Sequence, residues 1–276
     1  MIAIVGGGRM GRGLAGALAE AGEQVVLWSR REAAGGVDEA VSGAGSVILA
    51  VPDDVISALA GELARAGVVG AEQVVLHLSG LHGWRSLAPL EPTGAALGSL
   101  HPLQTVSDPG TAAERWRGAY AAVEGDDRAV AEAERLARLL GLHPFRLEAG
   151  QKPAYHAGAV MIGNYVVALA GAAARLGASA GVPADLSAKL YLPLMVGALE
   201  NLERQTPAAA LTGPVRRGDL STIRAHLAAL GADDRVLYAV LGLEALRLAR
   251  EAGLDPVRAD EVGQVLRSAI ILADRR

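Results

Sequence analysis

The sequence predicts an α/β protein, in which a mostly parallel, doubly wound sheet is followed by an all-α C-terminal domain. Three observations lead to this prediction. A strand runs into a glycine-rich turn and a helix at the N-terminus, short apolar strands then alternate with helical segments, and only helical patterns follow residue 149. Such alternation is typical of a parallel sheet covered on both faces. The expected domains are residues 1–149 and 150–276.

The N-terminal turn has the spacing G-x-G-x-x-G, preceded by the apolar strand Ile2–Val5 and followed by a helical pattern to Glu20. In a dinucleotide-binding turn the first glycine permits the tight bend, the second admits the pyrophosphate, and the third allows close helix–strand packing. The helix N-terminus supplies free N–H groups to the phosphates. The sequence therefore predicts a Rossmann-type cofactor site. Its predicted residues are Gly6, Gly8, Arg9, Met10, Gly11 and, after a later strand, Val51 and Pro52.

The remaining elements follow in order along the chain. Short apolar runs between turn residues predict the strands, and longer Ala/Leu-rich runs predict the helices. The predicted strands after the first are 24–28, 46–51, 74–78, 95–99, 119–123 and 145–147, with the clearest intervening helix at 130–140. The predicted C-terminal helices are 153–180, 185–204, 220–230, 233–252 and 256–272.

The end of the second strand indicates which dinucleotide is bound. NAD-binding units usually place an acidic residue there to bind the ribose 2′-hydroxyl. This strand is followed instead by Ser29, Arg30 and Arg31, and Glu32 comes later than expected. Guanidinium groups bind a phosphate through paired hydrogen bonds, so the sequence favours NADP(H). The alternative is that the two arginines are solvated loop charges.

Composition excludes several classes of function. The net charge of −4 disfavours a nucleic-acid partner, which needs a basic face. The absence of cysteine excludes disulfides, zinc–thiolate sites and cysteine nucleophiles, and no metal site is predicted. The longest apolar stretch, 157–174, contains Asn164 and many small residues, which favours a buried helix over a membrane span. A first strand so close to the N-terminus predicts no signal peptide, so we expect a cytoplasmic protein.

Polar residues follow two of the predicted strands, at the sheet edge where ligands of such folds bind. Ser79 ends one strand, His77 lies within it as an expected core histidine, and the role of His82 on the next loop stays open. His101, before a proline after the next strand, is a candidate general acid or base.

The first C-terminal helix carries a second set of candidates. Lys152 and His156 are four residues apart and share a helix face, with Asn164 two turns further on. These groups either meet the substrate and nicotinamide or are ordinary polar residues at a helix start. The loop 212–219 combines a Gly-Pro turn, two arginines and a helix-capping aspartate, and either anion binding or a subunit contact would explain it.

The order of motifs is GGGRMG, HLSG, GSLHPLQT, KPAYHAGAVMIGNY and LTGPVRRGD. Over nearly the whole chain it resembles bacterial two-domain proteins that join a Rossmann-like NADP domain to the helical domain DUF2520. The wider relatives of that family are pyrroline-5-carboxylate reductase, coenzyme-F420-dependent NADP oxidoreductase, the 6-phosphogluconate and 3-hydroxyacid dehydrogenases, and prephenate dehydrogenase. The resemblance implies an NADP-dependent oxidoreductase.

Two roles follow from this resemblance. In 3-hydroxyacid dehydrogenases a lysine on the first helix of the second domain works with an asparagine. Lys152 or His156, with Asn164, is similar in kind but differently spaced. In prephenate dehydrogenase a serine and the histidine of a His-Pro motif bind and deprotonate the substrate hydroxyl, and Ser79 and His101 resemble them. The rest of that enzyme's pattern is not evident, so prephenate itself is not implied.

The expected function is hydride transfer between NADP(H) and a small carbonyl/hydroxy or imine/amine substrate. His101 and His156 are the acid/base candidates, and Ser79, Lys152 and Asn164 would orient the substrate. The helical domain is expected to close the cleft and to form a homodimer, because helices that are apolar around most of their surface must be buried. The alternative is a non-catalytic NADP(H)-binding sensor or regulatory dimer.

Overall fold

A computed structural model of the chain describes residues 1–32 and 35–271. The chain divides into two compact units, Met1–Val166 and Val167–Arg276. The first unit therefore contains the sheet and the first helix after it. The domain limits expected from the sequence, 1–149 and 150–276, stay a prediction.

The first unit is built on one seven-stranded sheet, in the order β2-β1-β3-β4-β5-β6-β7. All neighbouring strands run parallel except β5 and β6, which are antiparallel. The predicted mostly parallel α/β class is confirmed. The strands are β1 (Ile2–Val5), β2 (Val25–Trp28), β3 (Ser46–Leu49), β4 (Val74–His77), β5 (Ala96–Pro102), β6 (Tyr120–Gly125) and β7 (His143–Arg146).

Helices cover both faces of this sheet, so successive strand residues enter different cores. Ile2 and Ile4 belong to one buried cluster, while Ala3 and Val5 belong to the other. The helices of the sheet region are α1 (Arg9–Glu20), α2 (Val37–Val41), α3 (Ile56–Ala66), α4 (Ala112–Trp116) and α5 (Asp127–Leu139). Three 3₁₀ segments accompany them: Asp53–Val55, Trp84–Thr93 and Pro109–Thr111.

Strand β5 differs from its prediction in a way that affects the site. The sequence predicted a strand at 95–99 followed by a loop carrying His101. The structure continues the strand through Pro102, so His101 lies within it. The extension pairs with antiparallel β6, where His101 faces Ala122 and Pro102 faces Ala121. Pro102 is the last residue of the strand.

Only helices follow β7 within the described residues, as predicted. They are α6 (Lys152–Gly163), α7 (Tyr165–Ser179), α8 (Ala184–Leu190), α9 (Leu192–Arg204), α10 (Pro207–Ala210), α11 (Pro214–Arg217), α12 (Leu220–Ala229), α13 (Ala232–Glu251) and α14 (Pro256–Ile271). The predicted end of the last helix, Leu272, lies outside the described residues.

Two predicted long helices are each divided in the structure. The helix expected at 153–180 is interrupted at Asn164, between α6 and α7. The helix expected at 185–204 is interrupted at Tyr191, and Pro193 then occupies the first turn of α9. Proline suits a first turn because its missing N–H would have no helical partner there.

The apolar stretch 157–174 was expected to be a buried helix, and this expectation is wrong for the single chain. The most apolar 18-residue window of the segment Lys152–Ser179 has a mean hydropathy of 1.6, yet only 6% of that window is buried. Ile162 is 75% exposed and Val167 is 68% exposed. By length and composition alone this segment could cross a membrane, which is weak evidence for a span. Its apolar side chains lack cover within the described chain.

Candidate active site

The glycine turn after β1 has the geometry that a dinucleotide-binding turn requires. Gly6 has φ +132°, and a Cβ added to it would lie 2.1 Å from the carbonyl oxygen of Ala50. A Cβ on Gly11 would lie 2.0 Å from the carbonyl oxygen of Gly6. Both positions therefore exclude every other residue. A Cβ on Gly8 would meet nothing within 4 Å, so this side of the turn is open.

The N-terminus of α1 is available to an anion. Gly8 precedes the helix without a side-chain cap, and no acidic residue occupies the first turn. The first N–H groups of a helix carry a partial positive charge and need partners. The turn lies between β1 and β3, where the order of strands reverses, and doubly wound sheets bind their ligands at that point.

A cavity of about 550 Å³ lies beside this turn. Most of the predicted cofactor residues line it: Gly6, Gly8, Ser29, Arg30, Arg31, Val51 and Pro52. Gly11 lies beneath the turn, and Arg9 is exposed at the start of α1 outside the lining. The Met10 side chain is partly buried against the core and is not in the lining of this cavity, and its role at the cofactor stays a prediction.

Two residues that were not predicted to bind the cofactor, Arg12 and Glu32, also line this cavity. The Arg12 guanidinium donates through Nε to the carbonyl oxygen of Gly7 at 2.9 Å and through Nη2 to Glu32 Oε1 at 2.5 Å. The pairing lowers the pKa of Glu32, through the hydrogen bond first and the charge of Arg12 second. The signal for Arg12 was its place in the first turn of α1, four residues after Gly8.

A second cavity, of about 500 Å³, lies beside His101 and α6. Tyr155, His156 and Asn164 line it together with His101, so the structure brings three of the predicted catalytic residues to one cavity. Asn164 is exposed at the end of α6. Leu103, Val160 and Ile162 supply part of its apolar wall.

His101 lies at the centre of a cluster of rings. Its Nδ1 is 2.9 Å from the Tyr155 hydroxyl, and its ring centroid is 5.6 Å from that of His156 in an edge-to-face arrangement. A Cβ on Gly80 would lie 2.4 Å from His156 Nδ1 and 2.7 Å from His101 Nε2. Both imidazoles therefore direct a nitrogen at the same point above Gly80, and His156 Nδ1 has no hydrogen-bond partner among the described residues.

Burial shifts the protonation equilibria of this cluster. Desolvation, followed by the nearby charge of Lys152, lowers the pKa of His101 to about 4. Desolvation raises the pKa of Tyr155 to about 12. At neutral pH His101 is therefore a neutral imidazole that can accept a proton, and Tyr155 keeps the proton of its hydroxyl. Such a pair can accept a proton from a substrate hydroxyl or return one to an oxygen or nitrogen.

Lys152 lies beneath the cluster and is only 1% exposed. Its Nζ donates to the carbonyl oxygens of Ser79 at 2.6 Å and His82 at 3.0 Å. Desolvation lowers its pKa to about 8, and the charges of Glu124 and Asp53 oppose that shift. Lys152 thus holds the loop after β4 against α6. The role predicted from the sequence was to orient the substrate.

The Ser79 hydroxyl also acts within its own loop. Ser79 Oγ accepts hydrogen bonds from the backbone N–H groups of Leu81 at 3.1 Å and His82 at 2.9 Å. The side chain is 5% exposed and is absent from the lining of the second cavity. Ser79 therefore shapes the turn beneath His101.

A row of buried polar side chains crosses three strands beside this cluster. His77, Ser99 and Glu124 are consecutive register partners on β4, β5 and β6. His77 Nδ1 accepts from Ser79 N, its Nε2 lies 3.2 Å from the carbonyl oxygen of Gly83, and desolvation lowers its pKa to about 3. It is the core histidine that the sequence predicted.

Ser99 and Glu124 were missed, because each lies within an apolar strand pattern. Ser99 Oγ and Glu124 Oε2 are buried, and neither has a hydrogen-bond partner in the described part of the chain. Burial raises the pKa of Glu124, against the opposing charge of Lys152. A sequence signal existed only for Glu124, as a charged residue next to the glycine that ends β6.

The loop 212–219 lies in the second unit. Asp219 caps α12 by accepting from the backbone N–H of Thr222 at 3.1 Å, as its sequence predicted. Arg216 donates to the carbonyl oxygen of Ala252 at 3.1 Å. Over the described residues, no group of His, Asp and Glu side chains has the arrangement of a metal site.

Comparison with known proteins gives two family matches. A model described as a Rossmann-like domain matches residues 1–102, and one described as Domain of unknown function (DUF2520) matches residues 119–245. A comparison with curated protein sequences finds no match.

Several solved structures share the fold. A Thermotoga maritima protein is 23% identical with full coverage of both chains and a TM-score of 0.64. A Plasmodium falciparum pyrroline carboxylate reductase with NADP bound is 11% identical, over 95% of this chain and 97% of that one, with a TM-score of 0.60. A Myxococcus stipitatus imine reductase variant in complex with NAD+ is 18% identical, over 99% and 94%, with a TM-score of 0.55. The chain thus joins a Rossmann-like domain to a DUF2520 domain.

Proposed function

We propose that the protein is an NADP(H)-dependent oxidoreductase that transfers hydride between the nicotinamide and a small carbonyl/hydroxy or imine/amine substrate. The observation that carries the proposal is the position of two groups on one sheet edge. The open glycine turn follows β1, and the ring cluster of His101, Tyr155 and His156 lies at the end of β5.

The order of strands supports this pairing of sites. From β1 to β5 the sheet takes three steps, through β3 and β4, which is about 14 Å at the usual strand spacing. A dinucleotide with its pyrophosphate on the glycine turn can extend over the carboxyl ends of these strands. The cavity beside His101 would then receive the substrate.

The chain's own residues would manage the proton. When bound, the dinucleotide supplies or accepts the hydride. Neutral His101 accepts a proton from a substrate hydroxyl or amine at one ring nitrogen, while its Nδ1 is positioned by the Tyr155 hydroxyl. In the reductive direction the same groups return the proton. Lys152 keeps the loop after β4 in register through its two carbonyl contacts.

The basic residues after β2 support NADP(H) as the preferred cofactor. Arg30 and Arg31 are exposed and line the first cavity next to buried Ser29. Each charge-assisted contact with a phosphate contributes up to about 1.5–3 kcal/mol. We expect replacement of both arginines by alanine to remove most of the preference for NADP(H).

The proposed activity is tested in two steps. Binding of NADPH and NADH is measured first by fluorescence titration, and NADPH oxidation is then screened against keto acids, cyclic imines and prephenate-like acids. Tighter binding of NADPH and turnover in one substrate class are the expected results. Equal affinity for both cofactors would refute the NADP(H) preference. Binding without turnover in any class would favour the alternative, a non-catalytic NADP(H)-binding sensor.

We further propose a homodimer formed through the C-terminal helices. Leu194 is 71% exposed and Leu199 is 57% exposed on α9, and Met161 and Ile162 are exposed on α6. Apolar patches of this kind are rarely left open in monomeric proteins.

The absence of cysteine from the whole sequence fits a reducing compartment such as the cytoplasm.

A further inference from the structure

Four groups converge at the carboxyl end of β2, where a cofactor's adenosine ribose would lie. A Cβ on Gly7 would be 2.8 Å from Ser29 Oγ and 3.4 Å from Arg12 Nη2. The same Nη2 is paired with Glu32. A guanidinium and a carboxylate thus meet beside the glycine turn, at the place where doubly wound folds distinguish a 2′-hydroxyl from a 2′-phosphate.

Arg12 is held in this position by its own helix and turn. It lies in the first turn of α1, and its Nε donates to the carbonyl oxygen of Gly7. This bond fixes one edge of the guanidinium, and the Nη2 edge faces Glu32. Arg30 and Arg31 line the same cavity, and within residues 1–32 and 35–271 neither side chain makes a comparable hydrogen bond.

The ion pair is exposed enough to be exchanged. The Arg12 and Glu32 side chains are 41% and 58% exposed. Surface pairs of this kind contribute little to stability, so a competing anion can displace the carboxylate at low cost. A phosphate oxygen accepts from the same N–H groups as a carboxylate.

Resting on the function proposed above, we propose that the Arg12–Glu32 ion pair sets how strongly the protein discriminates NADP(H) from NAD(H). The 2′-phosphate takes the place of the Glu32 carboxylate on Arg12. With a 2′-hydroxyl, Glu32 keeps its place on Arg12 and also accepts a hydrogen bond from the hydroxyl. Arg12 therefore favours the phosphorylated cofactor, and Glu32 favours the unphosphorylated one.

The test measures dissociation constants of NADPH and NADH for the unaltered protein, Arg12→Gln, Glu32→Gln and the double variant. Adenosine 2′,5′-bisphosphate and AMP serve as second probes, because they contain only the adenosine end of each cofactor. Glu20→Gln and Arg65→Gln are matched charge controls, since both residues are exposed and lie outside the lining of this cavity. Circular dichroism confirms that each variant is folded.

We expect Arg12→Gln to reduce the preference for NADPH over NADH by about tenfold or more, the loss of one charge-assisted hydrogen bond. Glu32→Gln should increase the preference for NADPH by about fivefold, because NADPH should bind more tightly and NADH more weakly. In the Arg12→Gln background most of the gain from Glu32→Gln should disappear. The controls should stay within about twofold of the unaltered protein.

The outcomes separate this inference from the proposed function. If the unaltered protein binds neither cofactor, both fall. If it binds them and the ratio changes by less than about twofold in both single variants, only the role of the ion pair is refuted. If Glu32→Gln increases the preference for NADPH as much in the Arg12→Gln background as in the unaltered protein, Glu32 acts by direct repulsion of the 2′-phosphate. The proposed exchange on Arg12 is then also overturned.

Discussion

The sheet and the helices α7–α9 differ in what they do with their apolar side chains. Leu14, Ile48 and Leu76 in the sheet region are fully buried. Val167 on α7 and Leu194 on α9 are about 70% exposed, at 68% and 71%. Both segments have apolar sequences, so composition alone does not distinguish them. The sheet region buries its apolar side chains within the chain, whereas helices α7–α9 leave theirs largely exposed.

The same two regions differ in their polar chemistry. The sheet region and α6 contain a buried lysine, two histidines with lowered pKa values and several buried polar atoms without partners. Helices α7–α9 hold one buried polar side chain, Ser187, which bonds to nearby carbonyls of its own helix start. This difference is the basis for the roles that we propose, chemistry for the first region and assembly for the second.

The largest expected effect concerns the histidines. With a substrate found, His101→Ala and His156→Ala should leave the NADPH dissociation constant nearly unchanged. At least one of them should lower turnover by about 10²–10⁴-fold, the usual range for a general acid or base. His143→Ala, an exposed histidine on β7, is the control and should retain full turnover. Full turnover in both the His101→Ala and the His156→Ala variant would show that neither histidine is the general acid or base.

The second effect concerns assembly. Light scattering and sedimentation should show a dimer at micromolar concentration, and Leu194→Glu with Leu199→Glu should dissociate it. Each buried leucine contributes about 1.5–3 kcal/mol, so the pair should weaken the dimer by at least about 100-fold.

Leu139→Glu is the matched control, because Leu139 is also exposed, at 39%, but lies on α5 beside the sheet. It should leave the dimer intact. A monomeric unaltered protein would contradict the proposed assembly and would leave the open face of α7–α9 unexplained.

The third effect concerns the stability of the sheet region at low pH. His77 and His101 have pKa values of about 3 and 4, below the ordinary 6.5, because burial disfavours their charged forms. Between pH 6.5 and 4 the unfolded chain binds protons that the folded sheet region does not. The free energy of unfolding should therefore fall with decreasing pH, by about 1 kcal/mol per pH unit for each histidine. The raised pKa of Glu124 acts in the opposite direction.

The sequence offers a convenient probe for this measurement. All three tryptophans, Trp28, Trp84 and Trp116, belong to the sheet-containing unit. Urea unfolding followed by tryptophan fluorescence therefore reports on that unit. His77→Gln should flatten the dependence on pH, and His226→Gln, at an exposed position in the second unit, should not. Equal slopes in all three proteins would show that the buried histidines are not the cause.

The glycine turn was predictable and the ring cluster was only partly so. The turn depends on residues within about one strand and one helix, so local spacing determines it. The cluster depends on β5 continuing through His101 into an antiparallel pair with β6, and on α6 bringing Tyr155 and His156 to that residue. Pairing between distant segments leaves no local pattern. For the same reason the contact between Tyr155 and His101 was not foreseen, although Tyr155 was quoted within a motif.

Gly80 has a consequence for the evolution of the protein. Its φ is not positive, so the backbone itself would accept alanine. Space excludes it, because two imidazole nitrogens lie within 2.4 Å and 2.7 Å of where a methyl group would stand. Every amino-acid change that a single base substitution can make in a glycine codon adds at least that methyl group. As long as both rings keep these positions, inheritance at this codon is confined to silent changes.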